Sequence, residues 1–491
     1  MSIYNINLGI GWASSGVEYA QAYRAKVLRE LGFKAKFIFM DMFQYENIEH
    51  MTKNIGFQDD EIIWLYQYFT DMPIEPTTMS EERFEKTFTL PFEKKEEGNK
   101  IIYSFPNNSY MCAYLTRDHR YIHRVECVSD GCLIRKDFFT SQRAFTEYYV
   151  PHDNKANLYR RCFYNRDGSI GLDEYINGDD SIYRVNEHFF YNKEDFIGYF
   201  LKQLHFTKDD VVIEDRNTGM ESAIFKAIGD AKLGVVIHAE HYNKESTDEH
   251  NILWNNYYEY SFNHHKDVSF FLSSTKRQEE TLRAQFKKYY DATPRIETIP
   301  VGSLKELKVG ERKPYHLMTA SRLATEKNID HLIHAVVKAH EKIPQLVFDI
   351  YGQGGEKDRL TKLITDYNAN SYIRLKGHQN LDEVFKQYDC YISASGSEGF
   401  GLTLLEAVGS GCALIGYDVP YGNQTFIKNN GYLVDYDAYD THACISSLSE
   451  AIVKYYEEDH PDFHQASYDI AKEYLDEEIA KKWKNLLEDQ L

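Results

Sequence analysis

Glu398-Gly399-Phe400-Gly401-Leu402-Thr403-Leu404-Leu405-Glu406 is the stretch on which the reading of this chain turns. An apolar run from Tyr388 to Ala394 precedes it and predicts a strand, while Ala407, Val408 and small residues follow and predict a helix. Strand, glycine-rich turn and helix aim backbone N–H groups and the positive helix end at an anion. Glu398 then stands in the loop, and Glu406 sits about two helical turns further on. Each carboxylate can accept hydrogen bonds from hydroxyl groups, so the pair suits one extended ligand with a sugar at one end and a ribose at the other. A diphosphate between two polyols is a nucleotide sugar. Either glutamate taken alone fits a cap or a solvated helix face equally well, so the rest of the chain has to decide.

Working outward, Tyr315 to Ala320 predicts a strand, followed by Ser321-Arg322-Leu323-Ala324-Thr325-Glu326-Lys327-Asn328 and a helix to about His340. Arg322 and Lys327 thus share a strand-to-helix loop from which both can reach one diphosphate, Arg by its planar fork and Lys as a point charge. Strands are expected at Val347 to Tyr351, Ile373 to Leu375 (leading into Lys376-Gly377-His378), Ala413 to Tyr417 and Gly431 to Val434, with a helix from Tyr468 to Leu487. At the other end, Ile3 to Leu8 reads as a strand running into Gly9-Ile10-Gly11-Trp12-Ala13-Ser14-Ser15-Gly16, a helix from Val17 to Leu31 closed by Gly32, and a strand from Lys36 to Phe39. The glycines do not fit a dinucleotide fingerprint; the small residues Ser15 and Gly16 suit a backbone that approaches a phosphate or sugar. Leu233 to Ile237 is a buried strand that ends in His238-Ala239-Glu240-His241-Tyr242, where open α/β sheets place ligands. The two histidines lack third and fourth metal ligands, so no metal site is expected.

Between these α/β segments the rhythm changes. Asn47 to Tyr68 looks helical, and from about Lys100 short aromatic and β-branched runs alternate with turns at Pro106-Asn107-Asn108, Ser129-Asp130-Gly131, Asp167-Gly168 and Asn177-Gly178-Asp179. That pattern predicts an antiparallel meander inserted into the first α/β unit. The expected organisation is an N-terminal Rossmann-like unit at 1–44 and 196–298, an insertion at 45–195, a C-terminal Rossmann-like unit at 299–472 and a helix at 473–491 that crosses back. Net charge is −20, with 56 Lys+Arg against 76 Asp+Glu, which argues against nucleic acid as a partner and against broad contact with an anionic membrane. Seven scattered cysteines without a Cys-x-x-Cys pair read as free thiols of a reducing compartment. The start carries no signal-peptide pattern, and no window approaches a spanning apolar run, so no spanning helix is expected.

Arg322, Lys327, Glu398 and Glu406, with the turn at Gly16 and His241 (His238 as a second candidate), resemble the retaining glycosyltransferases of the GT-B fold, family 4. The opening Ile3 to Tyr19, His238 to Tyr242 and Asp418-Val419-Pro420-Tyr421-Gly422-Asn423-Gln424 are similar to the catalytic subunits of accessory Sec system glycosyltransferases. The resemblance implies two Rossmann-like domains facing a cleft, with the meander as an extension that helps hold a partner and the acceptor. It implies catalytic roles for Arg322, Lys327, Glu398 and His241. It implies donor contacts from Ser15, Gly16, Val17, Glu18, Tyr19, Gly377, His378, Gln379, Gly399, Phe400, Gly401, Leu402, Thr403 and Glu406. UDP-GlcNAc or UDP-glucose would be the donor substrate, with no metal and no cofactor. The acceptor would be Ser and Thr hydroxyls of a serine-rich repeat adhesin, and the enzyme would work in the cytoplasm before export. The partner would be a second, non-catalytic glycosyltransferase subunit of similar fold in a hetero-oligomer, at most peripheral at the membrane. Other readings are a family 4 enzyme acting on teichoic acid or another glycan, and a non-catalytic chaperone or binding subunit for the adhesin.

Overall fold

The strand Tyr388–Ser393 lies at the centre of a six-stranded parallel sheet in the computed structural model, which describes residues 1–10, 16–44, 46–216 and 218–490. The sheet order is Ile373–Gly377, Val347–Tyr351, Lys313–Ala320, Tyr388–Ser393, Ala413–Tyr417 and Gly431–Val434. The chain winds outward one way from Lys313–Ala320, then returns to Tyr388–Ser393 beside it and winds the other way. The order therefore reverses between these two strands, and the crevice at such a reversal is where open α/β sheets take ligands. The loops carrying Arg322 and Glu398 both leave from this point. Helix Ile329–His340 covers one face, burying Leu332, Ile333 and Val336 against Leu317, Phe348 and Ile392. On the other face, Leu404, Leu405 and Val408 of helix Leu402–Gly409 join Met318, Tyr391 and Leu414 in a second cluster.

The chain divides into two compact units: Met1–Gly234 with Tyr260–Val268, and Val235–Glu259 with Ser269–Leu491. In the second, the end of strand Lys232–Ile237 from Val235 on, which leads to His238, then Phe270–Ser273 and Ile296–Thr298, lie side by side in that order. Helix Lys276–Tyr290 is capped by the Thr275 hydroxyl, which accepts the Gln278 N–H. The expected C-terminal helix is broken. Phe463–Ala471 and Asp476–Glu488 are separated where Leu304 bridges Leu475: the Leu304 N–H donates to the Tyr474 carbonyl and the Asp476 N–H to the Leu304 carbonyl. The last helix reaches Arg295, whose guanidinium lies 3.1 Å from Asp489. Helix Thr441–Glu457 escaped the sequence reading, although its Asp440 cap and the spacing of Cys444, Leu448, Ala451, Ile452 and Tyr455 carry the signal.

The first unit holds four parallel strands in the order Val211–Arg216, Ser2–Asn7, Lys34–Phe39 and Ile62–Trp64. The last of these corrects the expected helix from Asn47 to Tyr68. Only Ile48–Ile55 and Leu65–Tyr68 are α-helical, and Ile62–Trp64 extends the sheet instead. Two β-branched residues and a Trp favour a strand once an edge is available to pair with. Helix Gly16–Glu30 is pinned to the sheet by a buried polar group. Arg24 forms a two-pronged pair with Asp215 at 2.6 and 3.0 Å, Gln21 donates to the same carboxylate at 2.7 Å, and Arg24 also reaches Asn5 at 2.8 Å.

The insertion is a ten-stranded antiparallel sheet in strict sequence order, from Glu93–Glu97 to His188–Phe190, as a meander requires. At the Ser129-Asp130-Gly131 turn, Asp130 (φ 48°) and Gly131 (φ 76°) are both left-handed, the geometry that matches strand twist. Its inner face joins the first α/β sheet through rings: Trp64 and Tyr66 pack on Phe163, and Tyr183 stacks on Phe196 at 4.4 Å. All seven cysteines are free. Among the described residues no helix is long and apolar enough to cross a membrane.

Candidate functional site

The loop Ala394 to Gly401 is built by a return strand. The Glu398 N–H donates to the Pro420 carbonyl at 3.3 Å, and the Tyr421 and Gly422 N–H groups donate to the Glu398 carbonyl at 2.6 and 2.7 Å. This fixes the Glu398 backbone independently of any ligand. Gly401 caps helix Leu402–Gly409 in the left-handed region at φ 86°, where a side chain is strained. A Cβ at Gly399 would lie 2.5 Å from the His238 carbonyl oxygen, so only glycine lets the two loops close on each other. The first turn of the helix leaves its N–H groups without intrahelical acceptors and carries no acidic side chain, so it offers donors to an anion.

Lys327 Nζ lies 2.7 Å from Glu398 Oε2, and these side chains are only 17 % and 22 % exposed. Lys327 ends a short 3₁₀ turn, Thr325–Lys327, and Asn328 follows in the left-handed region with its amide donating to the Ala394 carbonyl at 3.0 Å. That bond ties the lysine loop to the glutamate loop, a link that the sequence reading did not anticipate. Arg322 is not at the pair: its side chain is 73 % exposed and bonds Glu326 at 3.0 Å. Glu406 is half-buried on the helix, and its carboxylate has no hydrogen-bond partner among the described residues. Burial, reinforced by Asp382 and opposed by Lys308, pushes its pKa up to about 7.

The other expected donor contacts divide. Gly377 ends the strand Ile373–Gly377 at φ 70°, with His378 and Gln379 exposed beyond it. The Phe400 ring is buried against Phe426, and the Thr403 hydroxyl lies 2.9 Å from Tyr391 Oη; both side chains support the loop. Leu402 packs its side chain onto Gly302. In the first unit Gly16 begins its helix exposed, Val17 and Glu18 are buried and Tyr19 is exposed; Ser15 lies outside the described residues.

His241 lies inside the support of the loop, its ring 0 % exposed. Nε2 lies 2.7 Å from the Gln285 amide oxygen, so it carries the proton, and Nδ1 accepts from the Tyr421 hydroxyl at 3.3 Å. Burial holds the imidazole neutral, its pKa lowered to about 4. Tyr421 in turn bonds Glu398 through its backbone, so His241 braces the glutamate loop from behind. His238, half-exposed and packed at Gly399, is the histidine at the loop itself. Among the described residues no group of three or more His, Cys, Asp or Glu is placed to hold a metal.

One cation on a carboxylate, free helix-end donors and an unpartnered second carboxylate fit a phosphorylated polyol. Residues 305–462 match the family model for glycosyl transferases group 1, and residues 93–187 match that for the GtfA extended beta-sheet domain. The chain is 49% identical, over 98% of its length and 97% of the relative's, to a Streptococcus agalactiae protein named UDP-N-acetylglucosamine--peptide N-acetylglucosaminyltransferase GtfA subunit. The crystal structure of the pneumococcal O-GlcNAc transferase GtfA in complex with UDP and GlcNAc superposes with a TM-score of 0.95 at 46% identity, covering 100% of this chain and 99% of that one. A crystal structure of a GtfA/B complex gives 0.93 at 47% identity, covering 100% and 99%. The fold is thus GT-B, two Rossmann-like domains with an inserted β-meander, and the chain belongs to the GtfA-subunit family of UDP-N-acetylglucosamine–peptide N-acetylglucosaminyltransferases.

Proposed function

We propose that this chain transfers N-acetylglucosamine from UDP-N-acetylglucosamine to Ser and Thr hydroxyls of a serine-rich repeat adhesin, in the cytoplasm and before export, paired with a non-catalytic subunit of related fold. The observation that carries the chemistry is the Lys327–Glu398 contact at the sheet's reversal point, in a chain whose relatives bear that activity in their names. GlcNAc is favoured over glucose because the pneumococcal relative holds UDP and GlcNAc, and the pairing is supported by the relative solved as a GtfA/B complex.

In this reading the bond from the anomeric carbon to the β-phosphate oxygen breaks, and negative charge gathers on the diphosphate. Lys327, the N–H groups opening helix Leu402–Gly409, and Arg322 after it leaves Glu326 hold that charge in place of a divalent metal. Glu398 accepts from donor-sugar hydroxyls and Glu406 from the ribose, while the backbone at Gly377 and His378 receives the uracil. The Ser or Thr oxygen attacks the face that the phosphate leaves, its proton passes to the departing β-phosphate oxygen, and the anomeric configuration is retained. No cofactor enters.

The test is UDP release with a serine-rich repeat polypeptide, with and without the partner subunit, for UDP-GlcNAc and UDP-glucose separately. Polypeptide-dependent release, with GlcNAc found on Ser or Thr, is the expected result. Hydrolysis with no sugar on the polypeptide, even with the partner present, overturns it.

A further inference from the structure

Beside the Glu398 loop lies a cavity of about 850 Å³ that the donor roles above do not use. Its walls are the hairpin Tyr242–Asn243/Leu253–Trp254, the start of helix Lys276–Tyr290, and the segments at Ser397 and Asp418 to Gln424. It opens one residue from Glu398, at Ser397, whose hydroxyl lies 3.4 Å from the Glu240 carboxylate. The polar groups in it are unevenly satisfied. The three carboxylates are each engaged by a neutral donor: Glu240 by Ser397, Glu245 by the Tyr439 hydroxyl at 3.0 Å, and Asp418 by the Gln424 amide at 2.8 Å. The donors are not. Among the described residues, the side chains of Lys244, Asn256 and Arg277 have no hydrogen-bond or ion-pair partner.

We propose that this cavity holds the acceptor polypeptide on either side of the modified hydroxyl, with Lys244, Asn256 and Arg277 donating to its backbone carbonyls. The inference rests on the peptide-transfer reading above. A carbonyl oxygen carries two lone pairs and no charge, which suits donors that have found no carboxylate partner although three stand in the same cavity. The carboxylates keep acceptor positions for backbone N–H groups, since each has room for about four hydrogen bonds. The volume falls among those of sites that enclose a ligand. Recognition through the main chain is indifferent to side chains, as an enzyme that modifies many positions of a repeat requires. The position is also apt: a chain lying here passes Ser397, next to the glutamate assigned to the donor sugar.

The complex with its partner subunit is assayed with a long Ser/Thr peptide and with a single serine blocked at both ends, alongside hydrolysis of UDP-GlcNAc without acceptor. In the triple variant Lys244→Ala, Asn256→Ala, Arg277→Ala, KM for the long peptide should rise about tenfold, the loss of one or two net hydrogen bonds. Transfer to the blocked serine and hydrolysis of the donor should stay as in the parent. Arg277→Lys, which keeps the charge, should recover part of the lost affinity. An unchanged KM for the long peptide overturns the assignment and leaves the peptide-transfer reading standing, as does an equal loss on both acceptors. If the parent complex modifies neither acceptor, both readings fail together.

Discussion

The ten-stranded insertion and the Glu398 loop treat buried carboxylates in opposite ways. In the insertion every such group is surrounded. Asp173, fully buried, meets Arg160 at 2.9 Å and Arg184 at 2.7 Å, and Arg161 is shared between Glu147 and Glu174 at 2.9 Å each. Tyr149 adds a bond to Glu147 at 2.6 Å and Ser181 one to Glu174 at 3.0 Å. At the Glu398 loop one lysine serves the first carboxylate, and the second, Glu406, has no hydrogen-bond partner among the described residues. A charge that holds a sheet together must be satisfied within the sheet, because leaving it unpaired out of water costs several kcal/mol. A charge kept for a ligand must stay incompletely satisfied until the ligand arrives. The contrast separates structural from functional carboxylates better than residue type or burial does.

Two substitutions break the comparison if it is wrong. Arg161→Ala leaves Glu147 and Glu174 without their cation, and should cost about 3–5 kcal/mol of stability. Calorimetry should find the loss, and folded material at low temperature should still hydrolyse the donor. Lys327→Ala should do the reverse. Transition-state charge loses one fixed donor, so kcat/KM should fall by about 10²–10³, while the melting temperature stays within a degree or two, as expected for a partly exposed pair. A variant at Arg161 that melts normally, or one at Lys327 that fails to fold, would remove the distinction.

How much of this could be read beforehand follows the same division. The Glu398 loop was legible because its function demands glycines, a preceding apolar strand and carboxylates at fixed spacing, and such demands are local. The strand Val347–Tyr351 and the helix start after Lys327 stand where hydrophobic periodicity places them. The meander was legible as a meander through its Asp-Gly and Asn-Gly turns. The hairpin at Asp153-Asn154, both left-handed without a glycine, carries a weaker signal and escaped notice. What could not be read is whatever depends on pairing across long separations. Ile62–Trp64 became a strand because Lys34–Phe39 offered an edge, and the final helix broke because Leu304 came to meet it. His241 is the sharpest case. Two histidines three residues apart look alike in sequence, and partners such as Gln285 and Tyr421, 44 and 180 residues away, hold one of them in the interior.

The smallest effect sharpens the comparison most, because it asks whether the unsatisfied carboxylate titrates as one. Burial lifts Glu406 from the ordinary glutamate value of 4.5 to about 7. The fold therefore favours its protonated form, and between pH 4.5 and about 7 the native chain holds a proton that the unfolded chain has released. In that window ionisation of Glu406 works against the fold, so its contribution to unliganded stability is greatest below 4.5, falls as pH rises, and is level above about 7. Donor binding should run the other way. Ribose hydroxyls donate best to an ionised carboxylate, so KM for UDP-GlcNAc should drop about fivefold to tenfold between pH 6 and pH 8. Glu406→Gln, which stays neutral throughout, should bind more weakly at pH 8 and lose that slope. A slope that survives in Glu406→Gln would assign the proton to another group, and Glu406 would join the structural carboxylates.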